Sequence, residues 1–173
     1  MHGDGERTDD ASQVTSEGEA HGLTWGVRGS FVGYIAALPD GRIAVSDPAT
    51  ITAEGSFHFP YATMVDGEGE RWIRCAGGVR FSGHFGMLEV PLQNLSVRVL
   101  PNGAELFTEQ SDGSVFSLAD IAFTEPVTSE SAIVWEAAPV MLTEAGSRFF
   151  GTQYPAGTEM APLRMSLPVA PAE

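Results

Sequence analysis

The stretch WGVRGSFVGYI, residues 25–35, is the segment from which both the fold and the function can be predicted. Its residues fall into two alternating sets, with Trp25 and Phe31 in one set and Ser30 and Tyr34 in the other. A period of two is typical of a β-strand, whose successive side chains point to opposite faces of a sheet. We therefore predict a strand followed by a turn, with Ser30 and Tyr34 on the same face.

A second stretch, GGVRFSGHFGML at residues 77–88, contains a histidine between two glycines among apolar residues. Gly83 and Gly86 carry no side chain, so another group can approach His84 closely. We expect Tyr34 and His84 to meet in a pocket between the two stretches, and the function to lie in that pocket.

Composition limits the class of partner. The 173 residues are enough for one domain, and the formal net charge is −14, with 23 acidic residues against nine basic ones, all of them arginine. Phosphate binding needs clustered cations, so we expect no nucleic-acid partner. No apolar run is long enough to insert into a membrane, and no signal-peptide pattern is visible at the start of the sequence.

Catalytic interpretations find little support. Cys75 is the single cysteine, which excludes an internal disulfide and a multi-thiolate metal site, and we expect it to be buried and inert. Residues 29–33 match the G-x-S-x-G string of serine hydrolases, but a nucleophile elbow needs a helix after the strand, and no helix is predicted there. With no acid–base pair visible beyond His84, we expect that the protein is not an enzyme.

The rest of the chain is dominated by short strands and turns. The turn PDG at residues 39–41, with glycine expected in a left-handed conformation, and a hairpin turn at residues 65–70 separate alternating segments. Strands at this spacing indicate a β-sandwich or a barrel. One short helix is predicted at residues 143–150, where Thr143 can cap an acidic first turn. We place an acidic, disordered tail at residues 1–22.

Tyrosine and histidine together suggest an iron site. A phenolate is a hard anionic ligand that suits ferric iron, and tyrosine is a known axial ligand of haem. Free tyrosine is protonated at neutral pH because its pKa is about 10, so a hydrogen bond from a histidine would help to hold the phenolate. His58 is a rival ligand, but it alternates with Phe57 and Phe59 and is expected to face solvent.

Three segments resemble motifs of one family, the HtaA haem-binding domains of actinobacterial haem-uptake proteins. Residues 23–35, LTWGVRGSFVGYI, resemble the opening motif, and residues 78–88, GVRFSGHFGML, resemble the second. Residues 154–159, YPAGTE, with Pro162 and Leu163, resemble the closing motif. The motifs are specific in combination, and they place an HtaA-like domain at residues 23–168, followed by a short tail at 169–173.

This resemblance implies an antiparallel β-sandwich of short strands with one or two short helices, holding ferric haem (ferric protoporphyrin IX). By resemblance, Tyr34 ligates the iron, His84 hydrogen-bonds Tyr34, and Ser30 lies near the haem propionates. It also implies aromatic side chains packed on the porphyrin, for which the candidates are Phe149, Phe150 and Tyr154. Members of the family are exported or held at the cell surface, and other haem-transfer proteins are the implied partners.

Two hypotheses follow. The first is a non-catalytic haem-binding module for haem acquisition or transfer. The second is an interaction or structural β-domain of the same fold, which binds no haem or binds another flat apolar ligand. The second is motivated by Gln153 and Ala161, which stand where the family tends to carry an aromatic residue and an aspartate.

Overall fold

Thirteen β-strands and two α-helices form the described part of the chain, residues 21–151 and 153–169 of the computed structural model. The helices are α1 (Gly29–Ala37) and α2 (Glu144–Phe149), and one 3₁₀ turn covers His84–Gly86. The strands are β1 (Gly22–Trp25), β2 (Arg42–Ser46), β3 (Thr50–Ile51), β4 (Phe57–Gly67), β5 (Glu70–Cys75), β6 (Gly78–Gly83), β7 (Leu88–Gln93), β8 (Ser96–Leu100), β9 (Gly103–Glu109), β10 (Val115–Ile121), β11 (Val127–Thr128), β12 (Ala132–Leu142) and β13 (Glu159–Pro168). Of the tails predicted at residues 1–22 and 169–173, residues 1–20 and 170–173 lie outside the described residues, and β1 begins within the predicted first tail.

The larger sheet closes on itself into a barrel. Eight antiparallel strands follow one another in the order β1, β13, β12, β10, β9, β8, β5 and β4, and β4 pairs with β1 again. Leu23 of β1 accordingly lies opposite Met165 on one side and Phe59 on the other. Closure leaves these strands without a free edge. The prediction of antiparallel β structure with one or two short helices is confirmed, but the large sheet closes like a barrel where the prediction had a sandwich.

Alternating side chains fill the barrel. In β9, for example, Ala104, Leu106 and Thr108 are buried, and the residues between them are partly exposed. This is the pattern expected of a strand with one face towards a core. The largest fully buried side chains of the core are aromatic: Trp25, Phe31, Phe57, Phe59, Phe81 and Phe150.

A smaller sheet positions the two stretches singled out from the sequence. It has three strands in the order β2, β6 and β7, all antiparallel, and it buries Val79 and Phe81 of β6. Helix α1 packs against β2 and β6. As a result, α1 lies beside the strand that leads directly into His84.

Most of residues 25–35 belongs to helix α1, so the prediction of a strand over this stretch is wrong. Strand β1 ends at Trp25, and Val27 has a φ of 63°, which an extended strand cannot contain. Helix α1 then buries Phe31 and Ile35, which are four residues apart and therefore lie on one helical face. The period of two was misleading because residues 25–35 contain the last residue of a strand, an irregular link and most of a short helix.

The second helix follows the sequence prediction. Helix α2 begins after Thr143, whose hydroxyl accepts a hydrogen bond from the backbone N–H of Gly146 at 2.9 Å. Glu144 lies in the first turn, where a negative charge favours the helix dipole. Neither α1 nor α2 is long and apolar enough to cross a membrane.

Cys75 is expected to be chemically inert in the folded protein. Its side chain is 4% exposed at the end of β5, and burial raises the pKa of the thiol to about 12. The thiolate is the reactive form, so an aromatic disulfide reagent at pH 8 should leave the folded protein unmodified. Full reaction is expected once guanidinium chloride unfolds the chain, and rapid reaction of the native protein would contradict the buried position.

Candidate functional site

Tyr34 and His84 are in direct contact, as the sequence predicted. The hydroxyl oxygen of Tyr34 lies 2.5 Å from Nε2 of His84, and the two ring centroids are 5.7 Å apart with an interplanar angle of 47°. Tyr34 comes from α1 and His84 from the 3₁₀ turn after β6. Two segments fifty residues apart thus supply one polar pair at the surface.

Helix α1 presents Tyr34 to solvent while its other face anchors the helix. Ser30 and Tyr34 are four residues apart on the exposed face, one helical turn from each other. Phe31 and Ile35 are buried on the neighbouring face, which packs against the core. The prediction that Ser30 and Tyr34 share a face therefore holds, although a helix and not a strand places them there. Tyr34 remains 40% exposed, so its hydroxyl can be reached from outside.

The turn that carries His84 has an unusual backbone. His84, Phe85 and Gly86 have φ angles of 52°, 55° and 88°, three left-handed residues in succession. Non-glycine residues seldom adopt this conformation. Asp40 binds the backbone N–H groups of the turn. Its two carboxylate oxygens accept hydrogen bonds from the N–H of His84 at 3.2 Å and from that of Phe85 at 2.6 Å. These bonds, that from Phe85 foremost, hold the pKa of the Asp40 carboxyl below its ordinary value.

Two large apolar side chains next to His84 face solvent. Phe85 is 92% exposed and Met87 is 89% exposed, the highest values among the exposed large hydrophobic residues of the described chain. Apolar residues are visible here in the sequence, but their exposure is not. Phe85 lies in the left-handed turn, and Met87 directly follows it.

The three late aromatic residues that the resemblance implied as porphyrin contacts have different environments. Phe150 is 1% exposed, and its ring makes edge contacts with Phe31 at 5.2 Å and Tyr154 at 6.4 Å. Phe150 is therefore a core residue, and its contact with a ligand stays a prediction. Phe149 is partly exposed and packs on Phe116 of β10, with ring centroids 5.2 Å apart.

Tyr154 lies near the start of α1. Its ring is 6.3 Å from that of Phe31, and the guanidinium of Arg28 lies over it at 5.1 Å. Arg28 also donates a hydrogen bond from Nη1 to the backbone carbonyl of Glu159 at 2.7 Å. Together with Ser30, Arg28 lines a groove at the start of α1. Arg28 was missed in the sequence analysis, where a lone arginine next to glycine gave no sign of this placement.

The structure also places His58 and Ser30, the residues behind two alternatives raised from the sequence. His58 is 7% exposed, and its Nδ1 lies 2.8 Å from the hydroxyl of Thr24, so the expectation that it faces solvent is wrong. The reason is that β4 has β1 and β3 as neighbours at this position.

The second alternative was a nucleophilic Ser30, which was set aside because no helix was predicted after the strand. A helix does follow β1, but Nε2 of His84 contacts the hydroxyl of Tyr34 and not that of Ser30.

The residues present do not favour a bare metal ion. Within residues 21–151 and 153–169, no group of three or more histidine, cysteine, aspartate or glutamate side chains could hold one. A protein site for an isolated ion ordinarily supplies at least three ligands. One phenol supported by one imidazole instead fits an ion that brings most of its own ligands.

Comparison with known proteins gives one family and several solved structures. The HtaA family model matches residues 20–166. The C-terminal domain of HtaA from Corynebacterium glutamicum is 25% identical, with 86% of this chain and 95% of that domain covered and a TM-score of 0.68. The N-terminal domain of the same protein is 24% identical, with 87% and 97% covered and a TM-score of 0.71.

A third solved structure is that of the haem-binding protein HtaB from Corynebacterium glutamicum. It is 23% identical, with 85% of this chain and 93% of that chain covered and a TM-score of 0.63. No curated protein matches the chain. The structural matches cover nearly the same length as the family match, so one fold accounts for almost all of the described residues.

Proposed function

The chain belongs to the HtaA family, and from that premise we propose that it is a non-catalytic module that binds ferric haem through Tyr34. The observation that carries the proposal is the contact between the exposed Tyr34 hydroxyl and Nε2 of His84 at 2.5 Å. The name of one relative agrees with this function, since HtaB from Corynebacterium glutamicum is described as a haem-binding protein.

Haem fits the donor set better than a free ion does. The porphyrin supplies four nitrogen ligands to the iron, so the protein need contribute only one axial ligand. A phenolate is anionic and suits the ferric state. Phe85 and Met87 offer exposed apolar surface beside the pair, as a flat apolar ligand requires.

His84 has a defined part in this arrangement. When Tyr34 is ionised, its phenolate oxygen can only accept hydrogen bonds. Nε2 of His84 must then be protonated and donate a hydrogen bond to that oxygen. A charge-assisted hydrogen bond of this kind stabilises the anionic form of the ligand. Ser30 and Arg28 lie at the start of the same helix, where a hydroxyl and a guanidinium can donate hydrogen bonds to propionate carboxylates.

The geometry also supports release of the ligand to a partner. Tyr34 is 40% exposed on a surface helix, and the neighbouring Phe85 is almost fully exposed. A haem bound there would keep part of its surface accessible, and a single axial ligand is lost more easily than two. We therefore propose transfer of haem to another haem-binding protein as the purpose of binding.

Replacing His84 with alanine is expected to weaken hemin binding by about tenfold, the lower end of the loss seen when a residue that supports a metal ligand is removed. Visible absorption titration of the purified protein with hemin measures this. His21→Ala is the matched control, because His21 lies before β1 and contacts Ser166, at 3.3 Å. Equal affinities for the parent and for His84→Ala would contradict the assigned role.

A second candidate function is a β-domain that has kept the fold and does not bind haem. The observation that favours it is the position of two of the late aromatic residues, because Phe150 is buried and Phe149 packs on β10. A folded parent protein that shows no saturable response to hemin would support this candidate, and partner capture would then replace ligand titration as the route to function.

A further inference from the structure

The His84–Gly86 turn needs an external partner to hold its shape. Three successive residues with positive φ angles are strained, and two of them, His84 and Phe85, are not glycine. Residues in this conformation persist only where the surroundings over-determine them. Two successive backbone N–H groups of the turn point to one carboxylate, that of Asp40. Concave pairs of N–H groups are favourable anion sites.

Asp40 is itself fixed relative to the helix that carries Tyr34. It precedes Gly41 in the turn between α1 and β2, and the backbone N–H of Gly41 bonds to the carbonyl of Leu38 at 3.1 Å. A Cβ at Gly41 would lie 1.8 Å from the carbonyl oxygen of Ile35, so only glycine allows this close approach. Gly41 is thus required for proximity to α1, and not for the left-handed conformation predicted from the sequence.

The end of β6 packs on the same turn. A Cβ at Gly83 would lie 2.5 Å from Cδ1 of Leu38 and 3.9 Å from Cα of Gly41. The chain just before His84 and the chain just after α1 are therefore in van der Waals contact. Asp40 stands where these two segments meet, between the element that carries the tyrosine and the turn that carries the histidine.

We propose that Asp40 is a positioning residue, whose carboxylate clamps the His84–Gly86 turn to the end of α1 and so places Nε2 of His84 against the hydroxyl of Tyr34. Asp40 makes no side-chain contact with the imidazole among the described hydrogen bonds, so it acts through the backbone of His84 and Phe85. The part of the inference that concerns haem depends on the proposed function; the part that concerns the Tyr34–His84 contact does not.

The first test uses the haem-free protein. Nuclear Overhauser contacts between the rings of Tyr34 and His84 are expected in the parent and are expected to disappear in Asp40→Ala. Asp112→Ala is the matched control, because the Asp112 carboxylate also accepts two hydrogen bonds in a turn, from the N–H and the hydroxyl of Ser114. That control should keep the contacts. Should Asp40→Ala fail to fold, Asp40→Asn takes its place.

The second test is a mutant cycle in hemin affinity. Asp40→Ala is expected to weaken binding by up to about tenfold, the loss expected for His84→Ala, and to cause no further loss when His84 is already alanine. If Asp40 has a purely structural role, Asp40→Ala lowers hemin affinity by the same factor in the parent and in His84→Ala. Additive losses would overturn the proposal that Asp40 acts through His84.

The two tests separate the inference from the proposed function. If the ring contacts disappear in Asp40→Ala while the parent fails to bind hemin, the positioning role of Asp40 is supported and haem binding is contradicted. If the ring contacts survive in a folded Asp40→Ala protein, the clamp falls whatever the titration gives.

Discussion

Replacing Tyr34 with phenylalanine is expected to lower hemin affinity by at least about 100-fold. The substitution removes a single oxygen and keeps the ring, so helix α1 and its buried face should be unaffected. Removing a residue that merely supports a metal ligand costs about 10- to 100-fold, and loss of the ligand itself must reach or exceed the upper end of that range. Titration with hemin, followed at the Soret band, gives the affinity of both proteins.

Another tyrosine, Tyr61, provides the control for this result. The chain has three, and Tyr61 lies half-buried on β4, packed against the core. Tyr61→Phe makes the same chemical change at a position with no assigned role, and its hemin affinity should equal that of the parent. Equal losses in both variants, or full affinity in Tyr34→Phe, would remove Tyr34 from the account.

Truncation of Phe31 to alanine is expected to destabilise the protein by about 3–5 kcal/mol, the usual loss for a phenylalanine removed from a core. The Phe31 ring is 2% exposed and meets Phe81 and Phe150 edge-on, each with centroids 5.2 Å apart. It attaches α1 to the small sheet through Phe81 and to the end of α2 through Phe150. Since domains are stable by only about 5–15 kcal/mol, the loss is large enough to affect the site as well. Urea unfolding followed by circular dichroism measures it.

Phe85→Ala is the matched control for that measurement. It removes the same side chain from a position that is 92% exposed, and exposed substitutions usually change stability by no more than about 0.5 kcal/mol. Similar losses at both positions would mean that Phe31 does not anchor the helix as described. Because Phe85 lies beside His84, this variant also shows whether exposed apolar surface contributes to hemin binding.

Local patterns in the sequence were enough to predict the strands, the capped helix α2 and the meeting of Tyr34 with His84. They were insufficient for the closure of the barrel, because β1 pairs with β13, whose residues are more than 130 positions away. Such pairings are decided by the packing of the whole core. Helix α1 was missed because nine residues of helix leave too few turns for a period of 3.6 to stand out.

Asp40 and Phe85 could not have been assigned from the sequence. A left-handed φ at His84 and Phe85 contradicts the preference of both residue types, and the carboxylate that accepts their backbone N–H groups comes from a turn more than forty residues away. The orientation of Phe85 depends on the same turn. The different burial of Phe149 and Phe150 could not be predicted for a related reason: adjacent aromatic residues look alike in sequence, whereas the end of α2 buries Phe150 and leaves Phe149 partly exposed.

The most direct measurement of the central claim is resonance Raman spectroscopy of the hemin-loaded protein, excited in the phenolate-to-iron charge-transfer region. The account predicts tyrosinate vibrations that are present in the parent, shift when the tyrosines are isotopically labelled, and are absent in Tyr34→Phe. A bound haem whose spectrum lacks those vibrations, or a parent that binds no haem, would contradict ligation by Tyr34.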